Sequence, residues 1–453
     1  MPNNLNDYLD SVRTIRRHLS GNRSDKTYIQ RVVDSGILLD LVDLLTQIDI
    51  STELILEIVW IITNIASGRS EHTEAVVAAG CIPVLVRMLC VHDTSSMQSP
   101  AIVAILDQGV WALGNILGDG CRLRDIALNH GAFNVLHSIL LSFANNQWHD
   151  YENFPGSHSL FQNVVWAGGN VFRYSPPKNG LQLADLFVAA IAKLLNTSFE
   201  IESLCSLCWA VFYVVGCGTE YIDLLSKYNI WTKLMNLYYD QRSVLSLAAI
   251  WVFSNLTCAS ISQIQTLIKL RPNFTSRLAE IFANGDYKAQ SRAVAVIEIL
   301  IATKCDEIAQ EIVLSTSLIV AITRCGSMSE KHFFYRVIRC LTEIVDVSSA
   351  DVHRFLCDEP QVTEVLTDSV TENCPCLPAV LRAIRKILTA TQTNQMPPLN
   401  SSASFGSNAR QMWLKRGRKL WRRLRSLQSA TTPFGVAQIA TEISLRFLDD
   451  QFC

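Results

Sequence analysis

Apolar residues recur at three- and four-residue spacing over long stretches of the chain, the mark of helices with one buried face. No run alternates in the two-residue rhythm of a half-buried strand between hairpin turns. AAGCIPVLVRML at 78–89 and NHGAFNVLHSILL at 129–141 share one arrangement: a helix that stops at Gly80 or Gly131, then an apolar helix that starts at once. After a break comes a third helical segment bearing a Trp. Those segments are copies of one another: VWIITNIASG around Trp60, VWALGNILGD around Trp111, VWAGGNVF around Trp166, CWAVFYVV around Trp209 and IWVFSNLT around Trp251, spaced 51, 55, 43 and 42 residues apart. Units of about 40–47 residues made of two or three helices cannot bury their apolar faces alone and stack on their neighbours. The longer spacings are assigned to polar insertions, VHDTSSMQSPAIVAIL after Cys90 and SFANNQWHDYENFPGSHSL after Leu141.

Residues 4–45 read as an opening repeat, and the helical pattern continues through AVAVIEILIA at 293–302, FYRVIRCLTEIVD at 334–346 and VLRAIRKILTA at 380–390. The expected organisation is an all-α solenoid over 1–390 with about eight or nine repeats. A flexible polar linker at 391–409 and a basic C-terminal tail at 410–453 with an amphipathic helix follow.

An Asn stands four residues after the Trp in four of the five segments, as Asn64, Asn115, Asn170 and Asn255, and Tyr213 takes that place after Trp209. Positions i and i+4 share a helix face, so stacking predicts a ladder of indoles and carboxamides along one side. A lone Trp is an ordinary core residue, but a recurring carboxamide needs hydrogen-bond partners, which the main chain of an extended guest peptide supplies. Indole faces attract cations by about 0.5–2 kcal/mol each, and the slots between them suit long aliphatic stems, so the favoured guest is rich in Lys and Arg. Asp119, in the turn after the second ladder helix, reads either as the acceptor for one guest ammonium or as a solvated loop acid. Gly168 and Gly169 each weaken a helix by about 1 kcal/mol, which close approach of a guest backbone would offset.

Charge sharpens the choice of partner. Eight Lys and Arg and no acid lie between 410 and 425, against a net charge of -2, so the rest of the chain carries -10. An acidic body favours basic partners, and no nucleic acid is expected. Fourteen cysteines without a secreted framework and a polar N-terminus point to a reducing cytosolic or nuclear setting. Cys205 and Cys208 form a lone CxxC and Cys374 and Cys376 a CxC, without a second pair or a His at zinc spacing; they read as core thiols. The glycosylation-like triplets at Asn196, Asn255, Asn273 and Asn400 read as chance matches. No apolar run is expected to cross a bilayer. GNILGDG at 114–120 lacks the Gly-Lys-Ser/Thr ending of a phosphate loop, and no nucleophile, base and orienting acid form a motif. The chain is expected not to be an enzyme, with no cofactor and no metal.

TNIASGRSEHTEAVVAAGCIPVLVRML at 63–89 and WALGNILGDGCRLRDIALNHGA at 111–132 resemble the second and third armadillo repeats of the importin-α family, and the likeness spans roughly residues 5–390. The resemblance implies a right-handed superhelical armadillo solenoid. It also implies an adaptor that binds Lys/Arg-rich nuclear-localisation signals in extended form for import of protein cargo, working in cytoplasm and nucleus. Its major site carries over to Trp60, Asn64, Trp111, Asn115, Trp166 and Asn170, with Asp119 gripping the key lysine; Trp209 fits a weaker position, where the family too has Tyr for Asn.

WVFSNLTCASISQIQ at 251–265 resembles the family's seventh repeat although it follows Trp209 by one repeat length, so a unit is missing or the match is shifted. The next ladder place falls on Ala295 and Ile299, leaving Trp251 and Asn255 as a reduced minor site. SVRTIRRHLSGNR at 11–23 fits a first-repeat helix and not the family's basic arm, so importin-β is not an expected partner, and no acidic C-terminal tract is found. The alternative class is an armadillo scaffold for cytoskeletal, adhesion or membrane-associated complexes, whose groove would be basic. In the tail, Trp413, Leu420, Leu424 and Leu427 would line one side of a helix, while Lys415, Arg416, Arg418 and Lys419 resemble a short nuclear signal. Three readings stay open: a terminal cap, membrane contact through 410–428, or self-binding to the solenoid near Trp251.

Overall fold

The computed structural model describes residues 5–21, 26–47, 50–91, 99–145, 154–195, 200–270, 273–304, 312, 316–327, 331–392, 417–428 and 434–445. Among these, every regular element is helical, and the chain divides into two compact units, Met1–Ala259 and Ser260–Cys453.

In the first unit the ladder helices are α1 (Leu5–Gly21), α4 (Thr52–Ala66), α7 (Pro100–Leu117), α10 (Ser157–Asn170), α12 (Ile201–Val215) and α15 (Ser243–Phe253), and each packs on the next. Shorter helices run between them: α2 (Lys26–Asp34) and α3 (Ile37–Leu44), α5 (Ser70–Ala78) and α6 (Cys81–Val91), α8 (Cys121–Asn129) and α9 (Ala132–Ala144), α11 (Gly180–Leu194), then α13 (Thr219–Lys227) and α14 (Ile230–Tyr238). The short pairs turn on one left-handed residue. Gly80 and Gly131 supply it as expected, with φ of 80° and 86°, but Asn229 does the same at 54°. Asparagine tolerates that backbone region, so a search for Gly alone misses the later repeats. Ile58, Ile61, Ile62 and Ile65 of α4 and Val110, Leu113, Ile116 and Leu117 of α7 are fully buried, each stabilising the stack by about 1.5–3 kcal/mol.

Two expectations are corrected here. The insertions are shorter than the sequence suggested: PAIVAIL forms the opening turns of α7, started by Pro100 at the first helical position, with Val103, Ile105 and Leu106 buried. Helix α9 likewise runs on to Ala144 and α10 begins at Ser157. Moreover, Pro100–Leu117 is by length and composition apolar enough to cross a membrane, contrary to expectation. It is apolar because it packs between α4 and α10, and 61% of it is buried inside the protein.

The second unit holds α16 (Ile261–Lys269), α17 (Phe274–Asn284), α18 (Tyr287–Ala302), α19 (Thr316–Ser327), α20 (Lys331–Val347), α21 (Ala350–Asp358), α22 (Pro360–Asp368), α23 (Leu377–Gln392), α24 (417–426) and α25 (Phe434–Ile443). Here α18, α20 and α23 pack in succession as ladder helices, and Asn273, with φ 71°, makes the left-handed turn before α17. Helix α24 buries Leu420 and Leu424 completely, as does Leu427 just beyond it. Arg423 donates to the Thr367 carbonyl at 2.6 Å, and Asp368 pairs with both Arg423 at 3.2 Å and Lys419 at 2.5 Å. The cations thus meet the C-terminal end of α22, where the helix carbonyls are unpaired and negative. Arg418 is exposed; Trp413, Lys415 and Arg416, and the linker from 393 to 409, lie outside the described residues.

The CxxC thiols sit in α12, where Cys208 is buried in the core and Cys205 is half-buried; burial pushes both up, and likewise raises the buried Cys81 to about 12, which keeps these groups as thiols and not thiolates.

Candidate functional site

Trp60, Trp111, Trp166, Trp209 and Trp251 lie on α4, α7, α10, α12 and α15, so the packing of these helices brings the expected residues together on successive rungs. None is fully buried; Trp166 and Trp209 are 36% and 40% exposed.

The carboxamides have a role that periodicity did not reveal. Asn115 donates from Nδ2 to the Thr63 carbonyl at 3.3 Å, Asn170 to Gly114 at 3.0 Å and Asn255 to Phe212 at 2.7 Å. Each acceptor is the residue just before the ladder position of the preceding repeat, and Asn64 reaches back in the same way to the Ser20 hydroxyl at 3.2 Å. A carboxamide between packed helices therefore does find a partner, contrary to the expectation that only a guest would supply one. The ladder Asn is a tie between repeats, worth about 0.5–1.5 kcal/mol. Asn64, Asn115 and Asn255 remain half-exposed, but Asn170 is fully buried and its Oδ1 has no partner among the described residues.

Glycines make the rungs fit. A Cβ on Gly114 would collide with the Trp166 ring, and one on Gly118 would come within 2.8 Å of Asn170 Nδ2, so Gly114 of α7 and Gly118, which caps its C-terminus, seat the Trp–Asn pair of α10. Gly216 receives Asn255 in the same way, its Cβ falling 2.6 Å from Nδ2. Gly168 and Gly169 are explained likewise, and not by a guest backbone: Gly168 faces the Phe187 ring of α11, and Gly169 lies against Ala210 and Tyr213 of α12.

The rungs differ in what already touches them. Arg16 of α1 lies over Trp60, its guanidinium carbon 4.5 Å from the ring centroid. Trp209 and Trp251 touch each other, with centroids 4.6 Å apart and planes at 46°, and Phe212 packs edge-on to both, so no slot is open between these two indoles. Among the described residues, Trp111 and Trp166 meet neither a cation nor another ring.

Asp119 accepts from the Ser70 hydroxyl at 2.7 Å, a neutral partner, and has no cation partner among the described residues. A second acid was missed in the sequence. Asp107, one turn before Trp111, accepts from Ser159 at 3.0 Å and Asn163 at 2.7 Å of α10. Burial raises its pKa, an effect those hydrogen bonds oppose. In the second unit, Ala295 and Ile299 are half-exposed on α18, and beside them Glu298 is held by Arg336, at 2.7 Å, and Arg339 of α20. Where the first unit offers indoles, this face offers arginines.

A family model for the armadillo/beta-catenin-like repeat matches residues 69–106. Importin subunit alpha-2 of Arabidopsis thaliana is 30% identical over 233 residues, 51% of this chain and 39% of that protein. Importin subunit alpha-1b of Oryza sativa subsp. japonica is 27% identical over 260 residues, 57% of this chain and 44% of that one. The chain is an importin-α-like armadillo protein. It spans less than half the length of these relatives. A crystal structure of an engineered protein matches the fold with a TM-score of 0.72 at 17% identity, over 100% of this chain and 96% of that one.

Proposed function

We propose that this importin-α-like chain binds Lys/Arg-rich segments of other proteins in extended form, of the nuclear-localisation-signal kind, and acts without catalysis as an adaptor for protein cargo between cytoplasm and nucleus. The observation that carries the reading is the pair of indoles at Trp111 and Trp166, which meet no ring or cation among the described residues, together with Asp119, whose hydrogen-bond partner is neutral. Indole faces of this kind stabilise a bound cation by about 0.5–2 kcal/mol each. Two such faces and a carboxylate suit a guest with several cations along an extended backbone. The names of the matched relatives, importin α subunits, support the same reading.

The test is titration of a fluorescent Lys/Arg-rich peptide. Trp111→Ala should weaken binding at least tenfold, about 1.4 kcal/mol, with the helical CD signal intact. Asn115 is left in place because its tie to the Thr63 carbonyl supports the fold. Equal affinity in the folded variant removes the reading, and preference for an acidic peptide would favour the scaffold alternative.

A further inference from the structure

Among the described residues, Trp60 is the one of the three upstream rungs, Trp60, Trp111 and Trp166, whose face is taken by a cation. Arg16 stacks over it at 4.5 Å, donates from Nε to Glu57 at 2.7 Å and reaches the second carboxylate oxygen from Nη2 at 3.4 Å. Its side chain is only 19% exposed. Arg13, one turn earlier on α1, pairs with Glu53 and lies 3.7 Å from Glu57. Glu53 and Glu57, seven and three residues before Trp60 on α4, are both paired with arginines of α1. The tie from Asn64 to Ser20 holds the same two helices together one turn further on.

We infer that Arg16 is a built-in occupant of the Trp60 slot and a specificity-determining residue of the site. This rests on the peptide-binding reading above. A guest cation at Trp60 must displace a guanidinium held by a ring face and a forked carboxylate contact, and must do so beside Arg13. The guest position over Trp60 is therefore selected against Lys and Arg, a repulsive element of specificity. Cations are read at Trp111, Trp166 and Asp119, so the chain takes a short basic cluster whose flank on the α1 side is uncharged.

The experiment is a Lys→Ala scan along a lysine-run peptide, titrated against the full chain, Arg16→Ala, Trp60→Ala and the double variant. Against the full chain, Trp60→Ala should change affinity by less than about twofold. Arg16→Ala should bind the all-lysine peptide about threefold or more tightly, as one cation–π contact becomes available, and should add one scan position at which Lys→Ala is costly. That added position should vanish in the double variant. Glu57→Gln, which releases the fork while keeping Arg16, should shift affinity the same way by a smaller factor. The inference is overturned if Trp60→Ala weakens binding to the full chain as strongly as Trp111→Ala does, or if the Arg16→Ala scan matches that of the full chain. If the peptide binds none of these proteins, or Trp111→Ala is also without effect, the peptide-binding reading itself fails and this one falls with it.

Discussion

Gly114→Ala sets helix propensity against packing, and the two predict opposite signs. Gly114 lies inside α7 and is buried, so on propensity alone Ala should stabilise by about 0.8–1 kcal/mol. The new Cβ, however, would fall on the six-membered ring of Trp166 and 3.1 Å from the Ala167 Cβ. An indole cannot bend aside as a flexible side-chain end can. Overpacking of this kind costs about 1–3 kcal/mol, which leaves Gly114→Ala destabilising by about 0–2 kcal/mol once the propensity gain is subtracted. In a Trp166→Ala background the ring is gone, so the same substitution should stabilise by about 0.5–1 kcal/mol. The cycle therefore carries a coupling of about 1–3 kcal/mol between the two positions. Urea titrations followed by far-UV circular dichroism measure it, with constant m-values showing that the denatured state is unchanged. Circular dichroism is preferred because removing Trp166 alters the fluorescence. If Gly114→Ala stabilises the parent by the full propensity value, or acts alike in both backgrounds within about 0.5 kcal/mol, the seat of Trp166 on Gly114 is wrong.

The remaining predictions concern the second unit, the guest and pH. Leu424→Ala should destabilise Ser260–Cys453 by about 2–5 kcal/mol, because the leucine is fully buried; a shift of the unfolding midpoint near zero would mean that α24 does not pack there. Peptides with two basic clusters should gain less than about threefold over those with one, since Trp209 and Trp251 close on each other and Arg336 and Arg339 stand on the downstream face; a gain of tenfold or more in a calorimetric titration would show a working second site. Burial and, secondarily, Arg69 hold the pKa of His72 below its usual 6.5, so the fold favours the neutral ring. Its contribution is fully present above pH 6.5 and is lost as pH falls through the depressed folded value. Replacing His72 by Gln should therefore flatten the loss of stability between about pH 7 and pH 5, and an unchanged slope would refute the assignment.

The architecture follows from periodicity alone. A Trp helix repeated five times, with a Gly turn ahead of the second helix, can bury its faces only by stacking, and this is why the ladder residues could be placed on successive helices from spacing alone. The Asn residues could be placed but not explained. Their partners are main-chain carbonyls about one repeat away, and a carbonyl leaves no trace in residue identity. The glycines of α10 misled for a related reason: a missing Cβ shows that something comes close, and only tertiary packing tells whether that is a guest backbone or, as at Gly168 and Gly169, the Phe187 ring and helix α12. The same limit applies along the ladder. Identical Trp motifs look equivalent in sequence, yet Trp60 is covered by Arg16, Trp209 leans on Trp251, and Trp111 and Trp166 meet neither a cation nor a ring among the described residues. Those differences come from residues about 40 or more positions away, brought near by the stacking of whole helices, and nothing in the local pattern of a repeat records which neighbour its indole will meet.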